Sequence, residues 1–306
     1  MQTNRPATPP TIEWPTLVLT LVIHVGWLAA TFWYDRLPPL VLFAIGGWLI
    51  AWHGSLQHEI IHGHPTPWRR VNAWLGATPL NLWLPFEVYR RSHMAHHAVE
   101  DLTDPAHDPE SRYLAPGDHP IRLVFAKAQT TLLGRLILGP IFEIGGFLAG
   151  QARALARGDR TAWALWAAHL LALAPVLLWL VVVCRFPLTL YGLCFVYPGA
   201  ALSLLRSYAE HRAEALPAHR VAVVERAPLL GVLFLNNNLH AAHHAWPGAP
   251  WFTLKRLYAT HREQLLRDNG GLVYDGYGDV ARRFLFRAHD RVEFAPAAAL
   301  SQEAAA

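Results

Sequence analysis

Hydrophobic positions along this chain gather into four long runs with almost no charge. The first, residues 14–34, is long enough to cross a bilayer as a helix. It is too long for the apolar core of a signal peptide, and a second run follows at once. Asp35-Arg36-Leu37-Pro38-Pro39 forms a tight turn between them. The second run, residues 40–57, leads straight into His58. The third covers 163–183 and is turned by Arg185-Phe186-Pro187. The fourth covers 188–205, passes Pro198 and emerges at Arg206.

Polar positions dominate elsewhere. Residues 71–86 are apolar but broken by Pro79 and Pro85, too short to cross and return. Residues 121–150 set Arg122, Lys127 and Arg135 among Leu, Ile and Phe, the pattern of an amphipathic helix at the interface. A short apolar run at 228–239 also belongs at the interface. The ends, 1–13 and 293–306, read as tails without fixed structure. The predicted fold is an all-α integral membrane protein, one domain over residues 1–306. Four transmembrane helices stand in two hairpins, under a helical cap built from 58–161 and 206–292.

Composition agrees. The chain is 53% hydrophobic and only 16% charged, below the roughly 25% of soluble domains. Its 13 Trp suit the membrane interface. Of the 26 Lys and Arg, Arg36 and Arg185 alone sit at the two turns opposite the cap. The cap side therefore faces the cytoplasm, because the Lys/Arg excess sets orientation. Only Lys127 and Lys255 are lysines; with the high Ala and Pro content this points to a GC-rich bacterial genome and so to a bacterial inner membrane. Cys184 and Cys194 lie in apolar runs and read as small buried hydrophobes. No basic, aromatic-interleaved groove is present, which excludes nucleic acid as a partner.

The chemistry lies in histidine. His58-Glu59-Ile60-Ile61-His62, His93-Met94-Ala95-His96-His97 and His240-Ala241-Ala242-His243-His244 carry eight histidines at spacings of one, three and four. On a helix, i, i+3 and i+4 share a face, so each cluster directs its imidazoles to one spot. Neutral imidazole ligates iron, zinc, copper and nickel. His211, just past the fourth run, lies at the depth of His58 and would make nine. Nine nitrogens exceed what one zinc takes and suit two metals.

These motifs resemble the membrane fatty acid desaturase superfamily, and the likeness covers nearly the whole chain. HEIIH (58–62), HMAHH (93–97) and HAAHH (240–244) look like its three histidine boxes. LTDPAHDPES (102–111) and NNNLHAAHHAWPGAPW (236–251) look like bacterial members. The resemblance implies a di-iron centre held by His58, His62, His93, His96, His97, His211, His240, His243 and His244, with O2 as co-substrate and an acyl lipid as substrate. Members related to the acyl-CoA desaturases carry an Asn four residues before the additional His. Ser207 stands there in this chain, with Asn236, Asn237 or Asn238 as substitutes. No cytochrome b5 or ferredoxin segment is evident, so electrons are expected from a separate donor of either type. Box one is open in register, since His53 stands five residues before His58 with four others between and also satisfies the family pattern; the pairing His58/His62 is preferred because Glu59 takes the acidic place that often follows the first His.

Around the ligands, Glu59, Glu210 and Asn237 are candidates to hold the outer imidazole nitrogens, with His64 beside them. Asp101, Asp104 and Asp108 read as solvated or capping loop residues, and His107 and His119 as loop histidines. Trp83, Phe86, Tyr208 and Trp246 are candidates to line an apolar substrate groove. The expected reaction is insertion of a double bond into an acyl chain. A lipid or carotenoid hydroxylase or ketolase would use the same site. A rival of another class reads His58-Glu59-x-x-His62 as a zinc metallopeptidase motif with Glu59 as general base, which leaves the other two clusters unexplained. A carboxylate-bridged di-iron bundle needs two E-x-x-H motifs and has one. A transporter would want polar residues in mid-membrane, where the runs are nearly clean.

Overall fold

The computed structural model describes residues 11–295 and is mostly helical. Four helices are long and apolar enough to cross a membrane: Trp14–Phe32, Pro39–Ile61, Arg160–Val183 and Leu188–Tyr208. Their outward faces are apolar, with Leu21, Val25, Leu40, Leu171 and Val182 all exposed. A soluble chain rarely leaves so much apolar surface open; hydrocarbon is the solvent that suits it. Two bounds differ from the sequence reading in a way that matters. The second span continues four residues beyond 57, so His58 and Glu59 ride on the span itself. The fourth continues to Tyr208 and ends one turn before His211.

Glycine sets how closely the second and fourth spans approach. A Cβ on Gly46 would stand 2.4 Å from the Cys194 carbonyl oxygen, and one on Gly199 would stand 2.5 Å from Ile50. Close packing of small residues of this kind holds helices together where lipid removes the hydrophobic drive. Polar bonds tie the other spans in. Trp27 Nε1 donates to the Tyr191 hydroxyl at 2.8 Å, and that hydroxyl donates to the Leu80 carbonyl at 2.6 Å.

The cap is a set of short helices. The single amphipathic helix expected over 121–150 is three: Pro120–Ala128, Leu132–Ile137 and Gly139–Ala156. Thr131 starts the second by accepting the Gly134 N–H, and Pro140 sits in the first turn of the third. Box two lies on the helix Phe86–His96 and box three on His240–Ala245. A parallel pair of two-residue strands, Val223–Val224 and Val273–Tyr274, backs box three. Glu13 and Phe294, within the tails expected over 1–13 and 293–306, are held by the fold. Glu13 bonds His64 at 2.6 Å, and the Phe294 N–H donates to the Leu114 carbonyl at 2.9 Å. Residues 1–10 and 296–306 lie outside the described residues.

Candidate metal centre

Helix geometry divides the histidines in a way that spacing alone concealed. His58, His62, His93, His97 and His243 form one group, and His96, His211, His240 and His244 form another. Within each, one nitrogen per residue lies within 4.8 Å of all the others. Each H-x-x-H-H box therefore serves both groups. In box two the i and i+4 members, His93 and His97, point to the first group, and His96 between them to the second. In box three the roles reverse: His240 and His244 join the second group and His243 the first. The expectation that each box aims at one spot is met by His58 and His62 but fails for boxes two and three, because i+3 and i+4 differ by one residue, about 100° around the helix.

The two histidines that could pair with His58 in box one lie in different surroundings. His58 and His62 are in the first group; His53 is not. It is buried within the second span, edge-on to His24 with ring centroids 5.7 Å apart. His64 pairs with Glu13.

Hydrogen bonds fix where the ring protons sit, and this decides whether the nine residues fit a cation. His211 Nδ1 lies 3.1 Å from the Arg220 carbonyl oxygen, which can only accept, so Nδ1 carries the proton and Nε2 is bare. His240 Nδ1 lies 3.1 Å from Asn237 Oδ1, whose orientation is set by Asn237 Nδ2 donating to Glu210 at 2.9 Å. His240 Nε2 is therefore bare too. The two bare nitrogens face each other at 2.9 Å. The first group repeats the pattern. His93 Nδ1 faces the Glu110 carboxylate at 3.2 Å, while its Nε2 meets those of His62 and His97 at 3.0 and 3.1 Å. His58 Nε2 is buried with no partner. Lone pairs aimed at lone pairs repel, and a cation between them removes the conflict. The donor set fits metal ions.

Titration points the same way. Burial pushes His62 down to about 2 and His97 and His211 down to about 3, with neighbouring imidazoles adding to the effect. Burial and the same neighbours hold His93, His240, His243 and His244 well below the ordinary range. All these rings are neutral near pH 7, the form that ligates. His96 departs: burial opposes its charge, but the Asp108 hydrogen bond and the Glu110 and Glu210 carboxylates outweigh it and raise it.

The groups behind the ligands differ from those expected. Asp108 is buried, accepts from His96 Nδ1 at 2.8 Å, and also accepts the Thr103 and Glu110 backbone N–H groups. It is no solvated loop residue. Glu110, not singled out from sequence, stands behind His93. Glu210 and Asn237 both stand behind His240. Glu59 instead accepts the Trp251 backbone N–H at 3.1 Å. Ser207 caps its own helix turn by donating to the Leu204 carbonyl. Asn236 and Asn238 donate to the Trp251 and Val224 carbonyls and fix the turn into box three.

A cavity of about 990 Å³ opens against His93, His96, His211 and His240. Trp83 and Tyr208 line it, together with Leu84, Val88, Phe142 and Phe147. Phe86 and Trp246 are not among its lining residues. Phe86 is buried against Gly76 beside Ile60, where the absent side chain leaves room for its ring. Trp246 lies over His261, ring centroids 4.9 Å apart.

Two polyhistidine groups, each able to hold a metal ion, lie at the ends of helices long and apolar enough to cross a membrane and open on one cavity. Comparison with known proteins makes this specific: residues 31–276 match the fatty acid desaturase family, and the chain belongs to it. Among curated proteins, no relative matches.

Proposed function

We propose that the protein is an O2-dependent di-iron oxidoreductase that inserts a double bond into the acyl chain of a lipid. Membership of the desaturase family implies a lipid substrate, a membrane setting and an oxidoreductase. The observation that carries the metal assignment is the pair of bare nitrogens of His211 and His240 facing each other beside the cavity. Two irons held by the nine histidines would supply O2 activation and removal of hydrogen from an unactivated C–H bond. Five donors in one group exceed the four that zinc takes.

The chain's own residues do the rest. Asp108, Glu110, Asn237 and the Arg220 carbonyl each hold an outer imidazole nitrogen, fixing tautomer and ring orientation. Trp83, Leu84, Val88, Phe142 and Phe147 present an apolar wall that takes an alkyl chain and excludes water. The electron donor is a separate ferredoxin-like or cytochrome b5-like protein. The centre faces the cytoplasm of a bacterial inner membrane, in keeping with the Lys/Arg bias. Hydroxylation at the same site differs only in whether a second hydrogen is lost or oxygen is transferred, and family prevalence favours desaturation.

The test is elemental analysis of detergent-purified protein together with lipid profiling of an expressing strain. The expected result is two irons per chain with little zinc, and acyl chains short of two hydrogens. Hydroxylated lipids in their place would replace desaturase with hydroxylase. One zinc, with failure to take up iron on reconstitution, would revive the peptidase reading. Glu59→Gln separates the two classes: the amide oxygen still accepts from Trp251, so iron content and lipid oxidation should persist, whereas a peptidase would lose its base.

A further inference from the structure

The cavity that reaches the histidines is not uniformly apolar. Five arginines, Arg112, Arg122, Arg135, Arg206 and Arg291, also line it. Four have partners within the protein, Arg291 among them. Arg112 donates to the Tyr208 carbonyl at 2.9 Å and to His289 Nδ1 at 2.7 Å. Arg122 pairs with Asp118 at 2.6 Å; Arg206 forms an ion pair with Glu210 at 3.0 Å, although its buried Nε lacks a well-formed hydrogen bond. Arg135 differs. Its Nη1 donates to Gln129 Oε1 at 3.0 Å, while its Nε is buried and has no hydrogen-bond partner. Among the described residues no carboxylate forms an ion pair with it. Glu143, exposed on the cavity wall, is near enough to act on it electrostatically and no closer.

A guanidinium always carries its charge, and a buried unpaired donor on it is costly. Its free Nε edge is the kind of fork that takes two oxygens of a carboxylate or phosphate. The same cavity offers a place for a tail. The Gly139–Ala156 helix contributes Phe142 and Phe147 to the wall, and at Gly145 and Gly146 an added Cβ would meet nothing within 4 Å. Trp83, Leu84 and Val88 form the opposing apolar surface.

We propose that Arg135, beside Gln129, is the anchor for an anionic head group, so that the substrate is an amphiphile with a carboxylate or phosphate head at Arg135 and its alkyl tail along the Phe142–Phe147 wall. The assignment rests on reading this cavity as the acyl site. It makes Arg135 a specificity residue, selecting charged over neutral-headed lipids before any chemistry occurs. Glu143 would then act against the head group rather than for it.

Equilibrium binding decides this without turnover. Wild-type protein in neutral detergent would be titrated with radiolabelled palmitic acid, its methyl ester, and palmitoyl lysophosphatidylglycerol. At least one anionic ligand should bind about tenfold more tightly than the ester, in line with a charge-assisted pair replacing a neutral contact. Arg135→Gln should erase the preference while leaving ester binding, iron content and thermal unfolding unchanged. Arg135→Lys should keep part of it, and Glu143→Gln should keep or strengthen it. Tighter binding of the lysophospholipid assigns the anion to a lipid head group; tighter binding of the acid assigns it to a free carboxylate. Equal affinity of wild type for all three, or a preference that survives in Arg135→Gln, overturns the proposal. Should Arg135→Gln fail to fold, the wild-type comparison and Arg135→Lys still decide. A head-group preference without any oxidised lipid in the expressing strain would leave this assignment standing and remove the oxidoreductase reading.

Discussion

A single carbonyl oxygen does much to define the centre: that of Arg220, which forces the proton of His211 onto Nδ1 and leaves Nε2 bare. Asp108 plays the matching role for His96. Replacing it with Ala should remove the acceptor and leave two backbone N–H groups unsatisfied. Loss of such a partner typically weakens metal binding by about 10–100-fold, and elemental analysis should fall toward one iron per chain, since only His96 of the second group leans on it. Unchanged iron would show that Asp108 merely shapes its loop. Protonation gives a second prediction at this scale. Seven imidazoles have folded pKa values far below the unfolded 6.5, so between about 6.5 and 3 the unfolded chain binds more protons. Their contribution is complete above about 6.5 and is lost as pH falls toward 3. His96, Glu110 and Glu210, all raised, pull the other way but are fewer. Thermal unfolding of the metal-free protein should therefore move to lower temperature on acidification below 6.5; a flat profile to pH 4 would contradict the buried, neutral cluster.

Among the elements, the second and fourth spans matter most, because they carry His58 and lead to His211. Gly46→Val would drive a side chain into the Cys194 carbonyl, a backbone atom with nowhere to go. Overpacking of this kind costs about 1–3 kcal/mol. The variant should melt earlier and hold less iron, as the spans separate and pull their ligands apart; wild-type metal content would show that the cap holds its own geometry. How much of this the sequence revealed follows from what each feature depends on. The spans and the boxes are local patterns, periodic or contiguous, and were legible. The division of each box between two groups was latent in the 100° step between His96 and His97 but needed the partner helix to show which side was which. Asp108 and Glu110 were illegible as supports because their loop doubles back on box two, and no local pattern records that contact. The Phe86 and Trp246 assignments failed for the same reason: apolar character predicts burial, not which neighbour does the burying.

Over the whole molecule, cap and spans are bound into one unit. Glu13, at the head of the first span, pairs with His64, and Trp251, at the start of a cap helix, donates to Thr16 at 3.1 Å. Metal binding at the junction should therefore stabilise everything at once, since ligand binding to the folded state adds directly to its stability. Stripping iron with a chelator should shift a single unfolding transition downward, and adding Fe(II) back should restore it; two transitions, one insensitive to metal, would mean that the cap folds apart from the spans. The crossing of the two H-x-x-H-H boxes has one more consequence. Because each short helix supplies both groups, the spacing between the two groups is tied to the geometry of an α-helix. The boxes act as a pair of rulers laid across the site. Inserting one residue after Met94 would shift His96 and His97 by one position relative to His93, and because those two serve different groups the damage should fall on both groups together and never on one alone.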